Sequence, residues 1–179
     1  RCYEPFAIER DSRLKAALKG KVKVGSHKAA LLNEPWEVLT GQGTPYKVFT
    51  PYWRACVAVT NPDRPLPAPD RLIPCPNRPA GDALSDWALL PTRPDWAGGF
   101  RRTWGDGMGV GEAAASARLT QFLSDGAANY SAGRDVPGID GTSRLSPHLH
   151  FGEISPRQVW HAARMAGDRG SEAFKAQID

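Results

Sequence analysis

Residues 141–158 read GTSRLSPHLHFGEISPRQ, and this stretch decides the fold because it combines a polar loop with two helix starts. The pairs Ser146-Pro147 and Ser155-Pro156 each place a capping hydroxyl directly before a proline, which is typical of the first turn of a helix. Gln158 follows Ser155 by three residues and completes a capping box. We therefore predict a loop that leads into two successive helices.

The first six residues of this stretch form a candidate phosphate-binding loop. Gly141 would let the backbone come close to a ligand, and the hydroxyls of Thr142 and Ser143 supply short donors. A helix beginning at Pro147 would direct free N–H groups and the positive end of its dipole to the same point, and Arg144 adds charge. The alternative is an ordinary capped loop with an arginine in a surface ion pair. Residue types alone favour that alternative, because such caps are common.

On either side of this stretch, the amino-acid composition and the spacing of apolar residues distinguish separate regions of the chain. Residues 112–179 carry apolar side chains at helical spacing and predict helices. Residues 61–111 contain nine of the sixteen prolines, so an extended, irregular connector is expected there. The aromatic residues of this connector predict that it packs onto the protein in places: Trp87, Trp96, Phe100 and Trp104.

The N-terminal region, residues 1–60, has a mixed pattern. Apolar spacing predicts a helix over 6–19, and the alternation of residues 21–24 predicts a short strand. Thr50-Pro51 predicts the start of a second helix, with threonine as its cap. Helix, strand and helix in this order favour the end of an α/β sheet domain.

The charge of the chain does not decide whether it binds nucleic acid. The net charge is +4, which invites such an interpretation. Residues 1–60, however, carry ten basic and five acidic groups, so the excess lies far from the candidate loop. Charge therefore neither supports nor excludes DNA binding.

Several kinds of site are disfavoured by composition. Three widely spaced cysteines without a Cys-x-x-Cys pair do not suit a disulfide framework or a zinc site, and they fit a reducing cytosol. His148 and His150 have no third ligand at a familiar spacing, so no metal site is expected. No apolar run approaches the roughly 18 residues of a membrane span. We expect a cytoplasmic protein that does not associate with membranes.

The residues that precede the loop complete a longer pattern. Tyr130, Arg134 and Pro137, followed in register by residues 141–158, resemble the flavin-binding entry of the DNA photolyase/cryptochrome family. The resemblance is to its class I photolyases, which act on cyclobutane pyrimidine dimers. It covers nearly the whole chain and thins in the proline-rich connector. Further stretches that resemble the family are residues 3–5, 32–36, 46–55 and 111–123.

This resemblance implies a division of the chain into three regions. Residues 1–60 would be the C-terminal part of a Rossmann-like α/β antenna domain. Residues 61–111 would be the linker between domains, and residues 112–179 the first part of an all-α FAD-binding domain. The chain would then be an internal segment of a longer protein, and the segment alone is expected to bind flavin poorly and to be inactive.

The resemblance also implies roles for particular residues. Arg134 matches a position that contacts DNA phosphate near the lesion, and Glu4 matches a carboxylate that binds a folate antenna in some relatives. No residue of the segment is expected to be catalytic. The residues that would line the flavin diphosphate and ribityl chain are Tyr130, Thr142, Ser143, Arg144, Leu145 and Ser146.

The function implied is repair of cyclobutane pyrimidine dimers in DNA by a carbon–carbon lyase. Blue light would drive electron transfer from reduced FAD to the dimer, and a second chromophore of folate or deazaflavin type would act as an antenna. The partner would be damaged DNA, bound by a monomer. The first alternative is a cryptochrome-type photoreceptor without repair activity. The second is a non-catalytic α/β module that binds another phosphate ligand.

Overall fold

The structure is a computed structural model that describes residues 2–28, 30–59, 61–74, 76–77, 80–90, 92–167 and 174–175, without the side chains of 105–108. Two helices precede the proline-rich connector, and the remaining helical segments follow it or lie within it. In chain order the α-helices are α1 (Pro5–Leu18), α2 (Phe49–Val59), α3 (Gly98–Phe100), α4 (Glu112–Gln121), α5 (Tyr130–Gly133), α6 (Ser146–His150) and α7 (Pro156–Met165). Shorter turns are 3₁₀ at Leu84–Trp87 and Ala127–Asn129, and π at Arg101–Met108 and Phe122–Gly126.

Two predictions for the N-terminal region agree with the structure, and one is wrong. The helix expected over 6–19 is α1, and the helix expected from Thr50 is α2. The strand expected over residues 21–24 is absent, and the described part of the chain contains no strand at all. Val22 and Val24 lie exposed beside no neighbouring strand. Alternation alone does not make a strand, because the backbone groups of a strand need a partner. A Rossmann-like sheet is therefore not found among these residues.

Of the predicted helix caps, one is confirmed and two are wrong. The capping box at α7 is confirmed: the N–H of Gln158 donates to Ser155 Oγ (3.2 Å), and the N–H of Ser155 donates to Gln158 Oε1 (2.8 Å). Ser146 is not a cap, because α6 begins at Ser146 itself and Leu145 occupies the cap position without a side-chain hydrogen bond. Thr50 likewise lies inside α2, which begins one residue earlier.

The connector is partly helical, contrary to the expectation of an extended segment. Its last portion winds from Gly98 through Met108 as α3 and the π turn. Packing of its aromatic residues is also less general than predicted. Trp104 is half-buried, whereas Trp87, Trp96 and Phe100 are exposed. The presence of aromatic residues in the connector therefore did not predict which of them pack onto the protein.

The core lies in the part of the chain after the connector. Helices α4 and α7 contribute Ala115, Leu119, Val159 and Ala163 to one buried cluster, and the apolar spacing predicted these residues as buried faces. Leu145 lies in the same cluster and is 1% exposed. The loop between α5 and α6 is therefore anchored in the core by an apolar side chain, and it does not lie free on the surface.

Helix α7 also connects α2 to this core. Trp160 packs edge-on against Trp53 of α2, with ring centroids 6.1 Å apart, which supports the prediction that Trp160 is a core residue. The next residue, His161, places Nε2 3.0 Å from the carbonyl oxygen of Pro62 and 3.1 Å from that of Asp63. Because both partners are acceptors, Nε2 carries the hydrogen. One helix thus holds α2 and the start of the connector.

Candidate functional site

A cavity of about 260 Å³ lies between the loop, α5 and α7. The six residues that the sequence assigned to a cofactor all line it, although Tyr130 lies well before the other five in the chain. Leu149, Val159 and Phe174 complete the apolar side of its wall. The residues on this wall are Tyr130, Thr142, Ser143, Arg144, Leu145, Ser146, Leu149, Val159 and Phe174.

The backbone of the loop is shaped as an anion-binding turn. Arg144 has a φ of +53°, in the left-handed region, and Leu145 follows it with φ −84° and ψ −9°. Successive residues of opposite hand turn their N–H groups toward a common concavity. The N–H of Leu145 donates to Ser143 Oγ, with 3.4 Å between the nitrogen and the oxygen. The hydroxyl of Ser143 therefore lies at this concavity.

Helix α6 contributes less to this site than the sequence predicts. It has only five residues, Ser146–His150. The partial charge at a helix end comes from aligned peptide dipoles. A helix of five residues has too few of these dipoles to produce a strong field. The hydroxyls and the turned backbone of residues 142–146 are therefore the main polar features of the cavity.

Gly141 has a different role from the one predicted. A Cβ atom added to Gly141 would lie 2.5 Å from the carbonyl oxygen and 2.6 Å from the carbonyl carbon of Gly133, at the end of α5. The glycine therefore permits two backbone segments to cross in contact, and it does not itself line the cavity. This crossing holds the start of the loop beside the helix that carries Tyr130.

Tyr130 forms the aromatic part of the wall. Its ring lies edge-on to Phe122 and Phe174, with centroids 5.6 Å and 5.5 Å away. Burial raises the pKa of Tyr130 above its ordinary value, and the nearby charge of Arg134 opposes this effect. Tyr130 thus presents a protonated hydroxyl near the cavity, with its ring fixed by two aromatic neighbours.

Arg134 and Glu4, the remaining predicted site residues, lie outside the cavity. Arg134 is exposed, with Nε 3.6 Å from the carboxylate of Asp135 and Cζ 5.9 Å from the centre of the Tyr130 ring. Glu4 is exposed at the start of α1, and its carboxylate accepts the N–H of Tyr3 at 3.1 Å. A separate groove along α1 is lined by Tyr3 but not by Glu4. The structure thus brings Arg134 close to the cavity and leaves Glu4 apart.

The sequence reasoning missed Arg118 of α4, which contacts the back of the loop. Its guanidinium group donates to the carbonyl oxygens of Thr142 and Ser143 and pairs with Asp140. Asp140 also pairs with Nε of Arg144 at 3.0 Å. Arg144 therefore makes the ion pair that the ordinary-loop interpretation expected, while its backbone shapes the turn. No local signal identifies Arg118, because all its partners lie far along the chain, beyond α5.

A buried histidine lies on the other side of α6. His148 is 1% exposed and its Nδ1 is 2.5 Å from Glu153 Oε2, while its Nε2 has no hydrogen-bond partner among the described residues. The ring of Trp104 packs edge-on against it at 6.4 Å. The hydrogen bond from His148 lowers the pKa of Glu153, partial burial opposes this, and the N–H of Gly111 acts in the same direction as His148.

This pair predicts a pH dependence of stability. Because the pKa of Glu153 is lowered by folding, its contribution is present above the ordinary glutamate pKa and is lost as the pH falls through the lowered value. We expect Glu153→Gln to reduce the free energy of unfolding at neutral pH, and we expect the difference from wild type to vanish in acid. Urea titrations at a series of pH values from neutral to acid measure the free energy of unfolding of both proteins. Glu9→Gln, at an exposed site on α1, is the matched control. A difference that persisted unchanged into acid would contradict the assignment.

Metal and membrane sites are not observed in the described residues. No group of three or more His, Cys, Asp or Glu side chains there is arranged to hold a metal ion. Within the same residues, no helix is both long and apolar enough to cross a membrane. Of the cysteines, Cys2 is exposed and Cys56 is buried, whereas Cys75 lies outside the described residues.

Comparison with known proteins identifies the class of protein to which this fold and loop belong. The family model described as DNA photolyase matches residues 1–70. The crystal structure of a bacterial class III photolyase from Agrobacterium tumefaciens is similar along 99% of this chain, with a TM-score of 0.88 and 38% sequence identity. This chain belongs to the DNA photolyase/cryptochrome family.

Individual relatives carry both kinds of name found in this family. The deoxyribodipyrimidine photo-lyase of Agrobacterium fabrum is 41% identical over 165 residues, covering 92% of this chain and 34% of that protein. Cryptochrome-1 of Arabidopsis thaliana is 32% identical over 188 residues, covering 99% of this chain and 26% of that protein. The chain covers 37% of the class III structure, so it spans well under half the length of each of these three relatives. The class I subclass stays a prediction.

Proposed function

We propose that this chain is part of a deoxyribodipyrimidine photo-lyase, which repairs cyclobutane pyrimidine dimers in DNA with blue light and reduced FAD. The observation that carries the proposal is the cavity that Tyr130 and residues 142–146 line together. Identity of 41% to a named photo-lyase supports the same reaction. A cytoplasmic monomer acting on damaged DNA is the form that we propose.

The residues of the cavity suit the diphosphate of FAD. The hydroxyls of Thr142, Ser143 and Ser146 and the converging N–H groups of the turn at Arg144 are donors, which phosphate oxygens require. A cavity of about 260 Å³ is smaller than the roughly 300–1,000 Å³ that encloses a ligand of drug size. These residues therefore hold one section of the cofactor.

In this mechanism the cofactor, when bound, supplies the electron that opens the dimer, and the protein supplies binding and orientation. The loop would hold the diphosphate of that cofactor through its hydroxyls and N–H groups. The apolar wall of Leu149, Val159 and Phe174 excludes water from one side of the cavity. Arg134 faces solvent beside Tyr130 and holds the phosphate backbone of the damaged strand without reading its sequence.

The three regions of the chain have separate tasks in this proposal. Residues 1–60 belong to the antenna domain, residues 61–111 connect the domains, and residues 112–179 begin the FAD-binding domain. Glu4 is exposed, so its carboxylate is accessible to an antenna chromophore of folate or deazaflavin type. Removal of such a chromophore would lower the amount of light that the protein absorbs and leave the repair step itself intact.

The proposal is tested by purifying the full protein and illuminating it with an oligonucleotide that contains a thymine dimer. We expect bound FAD in its absorbance spectrum and loss of the dimer in blue light but not in the dark. Bound FAD without repair would favour the cryptochrome-type receptor, which the similarity to Cryptochrome-1 supports as the second candidate. Absence of flavin would instead favour a module that binds another phosphate ligand.

The role of Arg134 leads to a separate prediction. We expect Arg134→Ala to weaken binding of dimer-containing DNA to a similar degree for every flanking sequence. We also expect it to reduce the salt slope of the affinity by about 1, because one phosphate contact is lost. Titrations at several salt concentrations measure both. Arg13→Ala removes an exposed arginine of α1 and serves as the control. An unchanged salt slope in Arg134→Ala would contradict the assignment.

A further inference from the structure

Arg118 lies on α4, but its side chain serves the loop that lines the cavity. Its Nε donates to the carbonyl oxygen of Ser143 at 2.9 Å, and its Nη2 donates to that of Thr142 at 3.1 Å. The same Nη2 lies 3.3 Å from the carboxylate of Asp140. The side chain of Arg118 is only 17% exposed, whereas that of Asp140 is 52% exposed. Arg118 itself does not line the cavity.

These contacts determine which groups of the loop face the cavity. Both carbonyl oxygens are bound by a group behind the loop, so they are held away from any anion in front of it. The residues of the loop that line the cavity include the three hydroxyl-bearing ones, Thr142, Ser143 and Ser146. The positive φ of Arg144 is unfavourable for a residue with a side chain and persists only where the surroundings enforce it. The guanidinium fork bonded to the two preceding carbonyls supplies that restraint.

Asp140 extends the arrangement to a second arginine. Its Oδ1 pairs with both Arg118 and Arg144, at 3.3 Å and 3.0 Å. The carboxylate therefore fixes the base of the loop to α4 on one side and restrains the residue with positive φ on the other. The carboxylate thus joins Arg118, which does not line the cavity, to Arg144, which does.

We infer that Arg118 is a positioning residue for diphosphate binding, acting through the carbonyl groups of Thr142 and Ser143. The inference rests on the proposed FAD site and adds to it a residue that touches no part of the cofactor. Without Arg118 the two carbonyls are free to rotate, and their negative oxygens then face the phosphates. A site that is ordered before its ligand arrives binds more tightly, because the ligand does not bear the cost of ordering it.

The test compares Arg118→Ala, Arg118→Lys and the control Arg164→Ala, an exposed site near the end of α7, in the full protein. Dissociation constants are measured for FAD and for riboflavin, which has no phosphate. We expect Arg118→Ala to bind FAD about ten- to a hundredfold more weakly, with little change for riboflavin. Arg118→Lys should fall between, because an ammonium group cannot donate as a planar fork. Methylguanidinium, but not methylammonium, should restore FAD binding to Arg118→Ala.

Each other outcome has a distinct meaning. Equal losses for FAD and riboflavin would show that Arg118 only supports the fold, and FAD binding like that of Arg164→Ala would show that it has no role. Either result overturns the inference and leaves the proposed function standing. Absence of FAD from the wild-type protein would overturn both. If Arg118→Ala does not fold, the FAD and riboflavin constants of Arg118→Lys decide between the same outcomes.

Discussion

Replacing Gly141 with alanine is expected to destabilise the protein by about 3 kcal/mol or more, because the new methyl group overlaps backbone atoms. The added Cβ would lie 2.5 Å from the carbonyl oxygen of Gly133 and 3.0 Å from its Cα. Neither atom can move without displacing α5, and Tyr130 lies on that helix. We therefore expect FAD affinity to fall together with stability. Urea unfolding and flavin titration of the same preparation measure the two effects.

Gly138→Ala is the matched control for this change. Gly138 lies slightly earlier in the same loop, and a Cβ added there would meet no atom within 4 Å. Its effect on the free energy of unfolding should stay within about 0.5 kcal/mol, as for an ordinary surface substitution. If Gly141→Ala were as mild as Gly138→Ala, the close crossing of the two backbone segments would not exist in solution.

The second large effect is expected at Leu145, the apolar anchor of the loop. Its side chain is 1% exposed within the cluster formed by Leu119, Val159 and their neighbours. Leu145→Ala removes buried contacts and leaves a void, at a cost of about 2–5 kcal/mol. The loop also loses its attachment to the core, so residues 142–146 should no longer hold the geometry that suits a diphosphate. Thermal unfolding and FAD titration report the two consequences.

A leucine outside the core separates burial from side-chain type. Leu72 is 78% exposed in the connector, and Leu72→Ala is expected to change stability by less than about 0.5 kcal/mol. A small effect of Leu145→Ala on stability, matching that of Leu72→Ala, would be incompatible with the packed position of Leu145. Normal stability with lost FAD binding would instead assign Leu145 to the cofactor and not to the core.

The loop is held in place at three points, and the kind of contact differs at each. Leu145 fastens its end by apolar burial, and Arg118 fastens its middle by hydrogen bonds to two carbonyl oxygens. The glycine crossing at Gly141 fastens its start. Because these restraints differ in kind, substitutions at the three positions should weaken FAD binding with different dependence on salt. Of the three, the Arg118 contribution contains an ion pair, with Asp140, that salt screens.

Much of the helical structure could be predicted because its causes are local. The Ser155 capping box depends on groups close together in the chain, and its two hydrogen bonds form as the helix starts. The starts of α1 and α2 likewise lie within two residues of those predicted from apolar spacing and from the Thr50-Pro51 pair. The strand over residues 21–24 failed for the opposite reason, since a strand depends on a partner that short-range alternation does not specify.

The candidate site shows the same division between local and distant causes. The chemistry of the loop could be predicted from the sequence, because the hydroxyls, the arginine and the proline are adjacent in the chain. The contacts that these residues make depend on the packing of distant parts of the chain. Gly141 contacts Gly133, Arg144 pairs with Asp140, and Arg118 binds the loop from α4. Such contacts join separate elements of the chain, and they form only when α4, α5 and α7 pack around a common core.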